Sequence, residues 1–162
     1  MPDFWLDADS LIQPKRGPYG FDIAPGFWTF LEQNARRGSI ASSLMVYHEL
    51  QDGAEDDLLA WARQRKGEGF FVDPDPLVQN FFRQIADYVE KNYPPHQASE
   101  FLDGVDPWVI AHAKVYGGKV VTFEVRAPKS SKPKIPDICD KFDVECLNIY
   151  NMVRELGMSL GQ

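Results

Sequence analysis

The chain has 162 residues, 44% of them hydrophobic and 13% aromatic, which is enough for one domain with a single sizeable core and excludes an intrinsically disordered chain. Its 17 basic and 24 acidic residues leave a net charge of −7, which argues against a protein whose main task is to coat nucleic acid, because such binding draws on Lys and Arg at phosphates. No apolar run approaches the roughly 18 residues of a membrane span, so no membrane partner is expected.

Met1-Pro2-Asp3-Phe4-Trp5-Leu6-Asp7 has no basic n-region and reaches acids at once, so it does not read as a secretory signal, and the expected compartment is the cytoplasm. Cys139 and Cys146 then read as buried thiols rather than as a disulfide framework or a zinc knuckle. His48, His96 and His112 stand far apart with no HxH or HExxH pattern, so any metal would need oxygen ligands.

In chain order, Phe4 to Leu6 is a short apolar run ending in Asp7. Pro25 to Arg37 reads as a helix with Pro in its first turn and Gly38 as its stop. Ser39 to Ser42 is the next expected strand, and Ser42 or Ser43 caps a helix from Leu44 to about Gln51. A helical stretch from Glu55 to Arg65 precedes a third strand, Gly69 to Val72. Leu77, Val78, Phe81, Phe82, Ile85, Ala86 and Val89 recur at intervals of three and four and predict a helix to about Asn92, ended by Pro94-Pro95.

A short helix around Ala98 to Leu102 follows, and then Asp106-Pro107, with Asp at the N-cap and Pro at N1, opens another that Gly117-Gly118 closes. Lys119 to Phe123 is a β-branched strand delivering Glu124. Beyond a basic loop, Pro136 to Phe142 reads as helical, Val144 to Leu147 as extended, and Ile149 to Leu156 as helical up to Gly157. Short strands alternating with helices imply βαβ units: an α/β chain with a central parallel sheet of about five strands, one domain over 1–157 and a tail over 158–162.

In such a sheet, acids placed just after strands or at the starts of helices converge beyond the carboxyl ends of the strands. Asp7, Glu49, Asp106 and Glu124 hold such places. Carboxylates gathered in one cleft repel one another unless a divalent cation neutralises them, so Mg²⁺ or Mn²⁺ in an all-oxygen site is the expected cofactor.

These residues also resemble a family, the PIN-domain nucleases, which include the VapC-type toxins of bacterial toxin–antitoxin pairs. Leu6-Asp7-Ala8-Asp9-Ser10-Leu11-Ile12 is similar to that family's first motif, and Tyr47-His48-Glu49-Leu50 resembles the second. Asp106-Pro107-Trp108-Val109-Ile110-Ala111-His112-Ala113 looks like the third, and Gly118-Lys119-Val120-Val121-Thr122-Phe123-Glu124 like the fourth, although that acid is usually Asp or Asn. The stretch from Gln13 to Ala24 is longer than a minimal VapC-type toxin needs, which points to a separate PIN-like branch.

The resemblance implies a PIN-like three-layer α/β/α sandwich and a metal-dependent endoribonuclease, the toxin of a pair. Its partners would be an RNA substrate, a cognate antitoxin covering the acidic cleft, and a second copy in a homodimer. Asp7, Glu49, Asp106 and Glu124 would be both catalytic and metal-holding, with one or two ions activating water for in-line attack on a phosphodiester. Asp9 and Asp103 are candidate supporting acids, and Ser10 and Thr122 candidate orienting hydroxyls. Lys15 and Arg16 on one rim, and Arg126, Lys129, Lys132 and Lys134 after Glu124, are candidate RNA contacts.

Leu6-Asp7-Ala8-Asp9-Ser10-Leu11 also resembles the opening motif of haloacid-dehalogenase phosphohydrolases, where Asp7 would be a covalent nucleophile and Asp9 a general acid. That family puts its last acid pair after a late strand, whereas Asp103 and Asp106 precede a helix. A catalytically silent PIN-like binding module is the non-enzymatic alternative.

Overall fold

A computed structural model of the protein describes residues 1–16, apart from the Arg16 side chain, and residues 24–157. The expected tail 158–162, most of the Gln13 to Ala24 stretch and the expected RNA contact of Arg16 lie outside the described residues. The chain runs β1 (Phe4–Leu6), α1 (Asp9–Arg16), α2 (Pro25–Arg36), β2 (Ile40–Ser43), α3 (Leu44–Asp52), α4 (Asp57–Gly67) and β3 (Phe71–Val72). It continues with α5 (Pro76–Asn92), α6 (Pro95–Asp103), α7 (Asp106–Tyr116), β4 (Lys119–Val121), α8 (Ile135–Lys141), β5 (Cys146–Leu147) and α9 (Ile149–Glu155).

The strands form one five-stranded sheet in the order β3-β2-β1-β4-β5, and every pairing is parallel. Central strand β1 pairs Leu6 with Ser42 of β2 and with Val121 of β4. Phe4, Trp5 and Leu6 are all buried, as expected of a strand covered on both faces. The chain steps outward from β1 through β2 to β3, then returns across the sheet to β4 and β5. With right-handed crossovers this places the two sets of helices on opposite faces and gives a three-layer α/β/α sandwich. Asp7 follows β1 and Glu124 follows β4, on the two strands between which the winding reverses, where a crevice opens in doubly wound sheets.

Local signals account for most element ends. Ser43 caps α3 by accepting from the amide of Met45, at 3.2 Å. Asp56 caps α4 through Leu59 and Asp75 caps α5 through Val78. Gly117 ends α7 with φ of 80°, a left-handed conformation that costs glycine little. Its neighbour Gly118 has another constraint: a Cβ there would lie 2.8 Å from the Trp5 ring and 2.9 Å from the Pro2 carbonyl oxygen.

Helix α1 fills a stretch to which the sequence reading assigned no element: Asp7 accepts from the amide of Ser10 at 2.8 Å and so starts a helix that tolerates Pro14 inside it. Two expectations need correction. Asp106 is not a cap: Val105 holds that place, no side chain bonds the free amides there, and Asp106 is the first helical residue. Leu77 belongs to no apolar stripe, being 64% exposed, because adjacent helical residues diverge by about 100° and Val78 takes the inward place. Cys139 is buried as expected, whereas Cys146 on edge strand β5 is only half-buried. No described helix is long and apolar enough to cross a membrane.

Candidate functional site

The end of β1 delivers Asp7 into the interior, where the residue is 2% exposed. Its Oδ1 accepts from the Ser10 amide, and the Ser10 hydroxyl in turn donates to the carbonyl of Val121 at 2.9 Å, tying the turn after β1 to β4. Burial raises the Asp7 carboxyl to about 6, while hydrogen bonds from the Thr122 side chain and the Ser10 amide hold it lower than burial alone would. Thr122 also accepts from the Glu124 amide at 3.1 Å, so one hydroxyl links the first and last acids of the sequence pattern.

Asp106 is pushed further, to about 8, first by burial and then by the charges of Asp7, Glu124, Glu49 and Asp9. That set reproduces the four expected carboxylates and adds a fifth. Glu124 is raised by burial, opposed by the Ile135 amide at 3.4 Å and by the charge of Lys134. Glu49 is an exposed residue at the open edge, raised by partial cover and then by Asp9. Asp9 itself is exposed on the first residue of α1, yet its charge acts on Asp7, Glu49, Asp106 and Glu124 alike. Sequence reasoning gave Asp9 a supporting role, but the helix that Asp7 starts turns it toward the whole group.

The side chains repel across space without closing on one point: among the described residues no three His, Cys, Asp or Glu side chains stand as a ready-made metal cage. The donor set nonetheless suits a hard cation. It offers carboxylate oxygens, its charges raise one another's proton affinity, and Lys134 opposes that rise at Glu124. Asp103 stands exposed at the end of α6, and among the described residues no hydrogen bond or ion pair joins it to the other acids.

The expected basic contacts divide. Lys15 is bound to Asp56 at 2.7 Å, pinning α1 to the start of α4. Arg126 makes a two-pronged pair with Asp140, at 2.7 and 2.9 Å. Lys129 is exposed on the loop before α8. Lys132 and Lys134 line a cavity of about 210 Å³ whose wall also includes Glu49 and Asp106. Gln97, Glu100, Phe101 and Gly104, from α6 and the turn after it, also line that wall, and the sequence reading singled out none of them. Their position on the helix before Asp106 was the available signal.

His48 is exposed beside Glu49. His112 is fully buried against Trp5, ring centroids 4.8 Å apart, with Nε2 3.2 Å from the Ser43 hydroxyl; burial lowers it to about 4, so it is a neutral core residue rather than a proton carrier.

Compared with known proteins, residues 4–160 match a family described as "Domain of unknown function (DUF4411)". No curated protein and no solved structure matches the chain.

Proposed function

The chain belongs to the DUF4411 family, and from its own residues we propose that it is a divalent-cation-dependent endoribonuclease of PIN-domain type, acting in the cytoplasm as the toxin of a toxin–antitoxin pair. The observation that carries this reading is the convergence of Asp7, Glu49, Asp106 and Glu124, with Asp9, where β1 and β4 end. Their mutual repulsion is unexplained by any structural role and is relieved by a doubly charged ion. The order of the motifs that resemble PIN nucleases supports the same assignment.

Asp7 is the buried anchor that would hold Mg²⁺ or Mn²⁺, half-buried Asp106 and Glu124 would stand beside it, and Glu49 and Asp9 are the exposed oxygen donors around them. When bound, the ion supplies charge neutralisation at a phosphodiester and lowers the proton affinity of attacking water. The Ser10 amide and the Thr122 hydroxyl fix the Asp7 carboxylate so that little reorganisation is needed when substrate arrives. Lys132 and Lys134 face the phosphates of a strand leaving the acids. A cognate antitoxin would insert a cationic side chain among the carboxylates.

The test is cleavage of RNA by purified protein with and without Mg²⁺ or Mn²⁺. Cutting that needs the ion and disappears in Asp7→Asn, with the fold intact by circular dichroism, is the expected result. Equal cutting by Asp7→Asn, or none by wild type with either ion, overturns the reading.

A further inference from the structure

The cavity that Glu49 and Asp106 help to line has walls of unlike chemistry. One segment of the lining, the loop before α8, contributes Lys132 and Lys134; another, α6, contributes Gln97 and Glu100. Three residues apart on a helix, Gln97 and Glu100 share one face. Phe101 and Pro133 add flat apolar surface. At about 210 Å³ the space is smaller than the roughly 300–1,000 Å³ that encloses drug-sized ligands, which suits one planar base rather than a stacked pair. A base held in a helix keeps its Watson–Crick edge occupied, so only an unpaired one can turn that edge to a wall.

We propose that this cavity seats one unpaired guanine nucleotide of the RNA beside the bond to be cut, with Lys132 and Lys134 on its phosphate and Glu100 and Gln97 on its base edge. The proposal rests on the ribonuclease reading for the identity of the strand. Glu100 is an acceptor only and faces guanine's adjacent N1–H and N2–H, while the Gln97 amide donates to O6. The other bases match this pair of side chains less well. Adenine sets an acceptor nitrogen beside its single amino group, uracil flanks one N–H with carbonyls, and cytosine offers one amino group beside an acceptor. The imidazole of His96 lies 3.7 Å from the Glu100 carboxylate on the exposed side of α6.

The test is fluorescence anisotropy with the Asp7→Asn protein in Mg²⁺, using a labelled short oligouridylate and the same strand carrying one central guanosine. The guanosine should tighten binding at least about fivefold, the lower end of what one good base-edge pairing supplies. Glu100→Gln should erase that preference, and Lys132→Ala with Lys134→Ala should weaken both strands alike. Equal binding of the two strands, absence of binding to either, or a guanine preference that survives Glu100→Gln overturns the proposal. Because the readout is binding, failure of the nuclease reading shows separately, as wild-type protein that prefers guanine but does not cut.

Discussion

Asp7 and Asp106 repel one another across the carboxyl ends of β1 and β4: after burial, the Asp7 charge is the foremost influence raising the Asp106 carboxyl. One acid is fixed by the Ser10 amide and the Thr122 hydroxyl, and the other is the first residue of a helix without a side-chain cap. The pair is thus held together by the fold rather than by mutual attraction, a tension that purely structural acids rarely show.

Replacing Asp106 by Asn removes a charge that burial and four neighbours disfavour. Asp106→Asn should therefore raise the stability of the metal-free protein at pH 8 by about 2 kcal/mol, or ~4–8 °C in Tm for a domain of this size. The same variant should lose divalent-dependent cleavage. A thermal melt in EDTA beside a cleavage assay checks both; a lower Tm would contradict the repulsion.

The pH dependence follows from the same groups. Carboxyls raised to about 6 and about 8 keep protons in the folded protein that the unfolded chain releases near pH 4. Their contribution to stability is therefore greatest at low pH and falls as pH rises through those values. A bound cation takes the place of the proton, so Mg²⁺ or Mn²⁺ should stabilise the protein far more at pH 8 than at pH 5. At pH 7 binding should release protons, measurable by calorimetry in two buffers of different ionisation enthalpy; no net release would refute the coupling.

Thr122 is 3% exposed and serves Asp7 and the Glu124 amide with one hydroxyl. Thr122→Val keeps the shape and removes that link, so the Asp7 carboxyl should rise and the acid limb of the pH–rate profile should move to higher pH. A stability loss of about 1–2 kcal/mol should accompany it, while Thr122→Ser retains most of the profile. A lower rate with an unmoved acid limb would make Thr122 a packing residue only.

Much of the layout was legible because strong local signals decide it. The seven- and four-residue spacing of Val78, Ile85 and Val89 fixed α5, and the Ser43 and Gly117 punctuation marked the start of α3 and the end of α7. The gathering of Asp7, Glu49, Asp106 and Glu124 was legible because strand ends and helix starts meet at one edge of a parallel sheet. Helix α1 was hidden, since Pro14 lowers helix propensity and its start depends on the Asp7 side chain reaching Ser10. The pairing of Lys15 with Asp56 and of Arg126 with Asp140 is tertiary and leaves no mark in local sequence.

Arg65 offers a test of what holds the helices of one face. It is 2% exposed and bonds Glu32 of α2 at 3.0 Å and Glu68 at 2.9 Å. Arg65→Ala leaves the two partly buried carboxylates with only the more exposed Arg36, 2.6 Å from Glu32 and 3.1 Å from Glu68, so it should cost about 2 kcal/mol, read as a lower urea midpoint at unchanged slope. Adding Glu32→Gln and Glu68→Gln should recover part of that loss; no recovery would mean that lost packing alone is responsible.

His112 gives the opposite pH signature to the acids. Its folded value of about 4 lies below the ordinary 6.5, because burial opposes the charge more than Asp75 and Asp73 favour it. The unfolded chain therefore takes up a proton that the folded protein refuses, and stability present above pH 6.5 is lost as pH falls toward 4, by about 3 kcal/mol in all. Asp7 and Asp106 act in the reverse sense over the same window, so the wild-type curve alone conceals both. His112→Gln keeps a donor for the Ser43 hydroxyl and cannot take up the proton. The difference between the two proteins' unfolding free energies should shrink by about 3 kcal/mol from pH 7 to pH 4. A difference that stays constant across that range would show that the imidazole already carries its charge in the folded core.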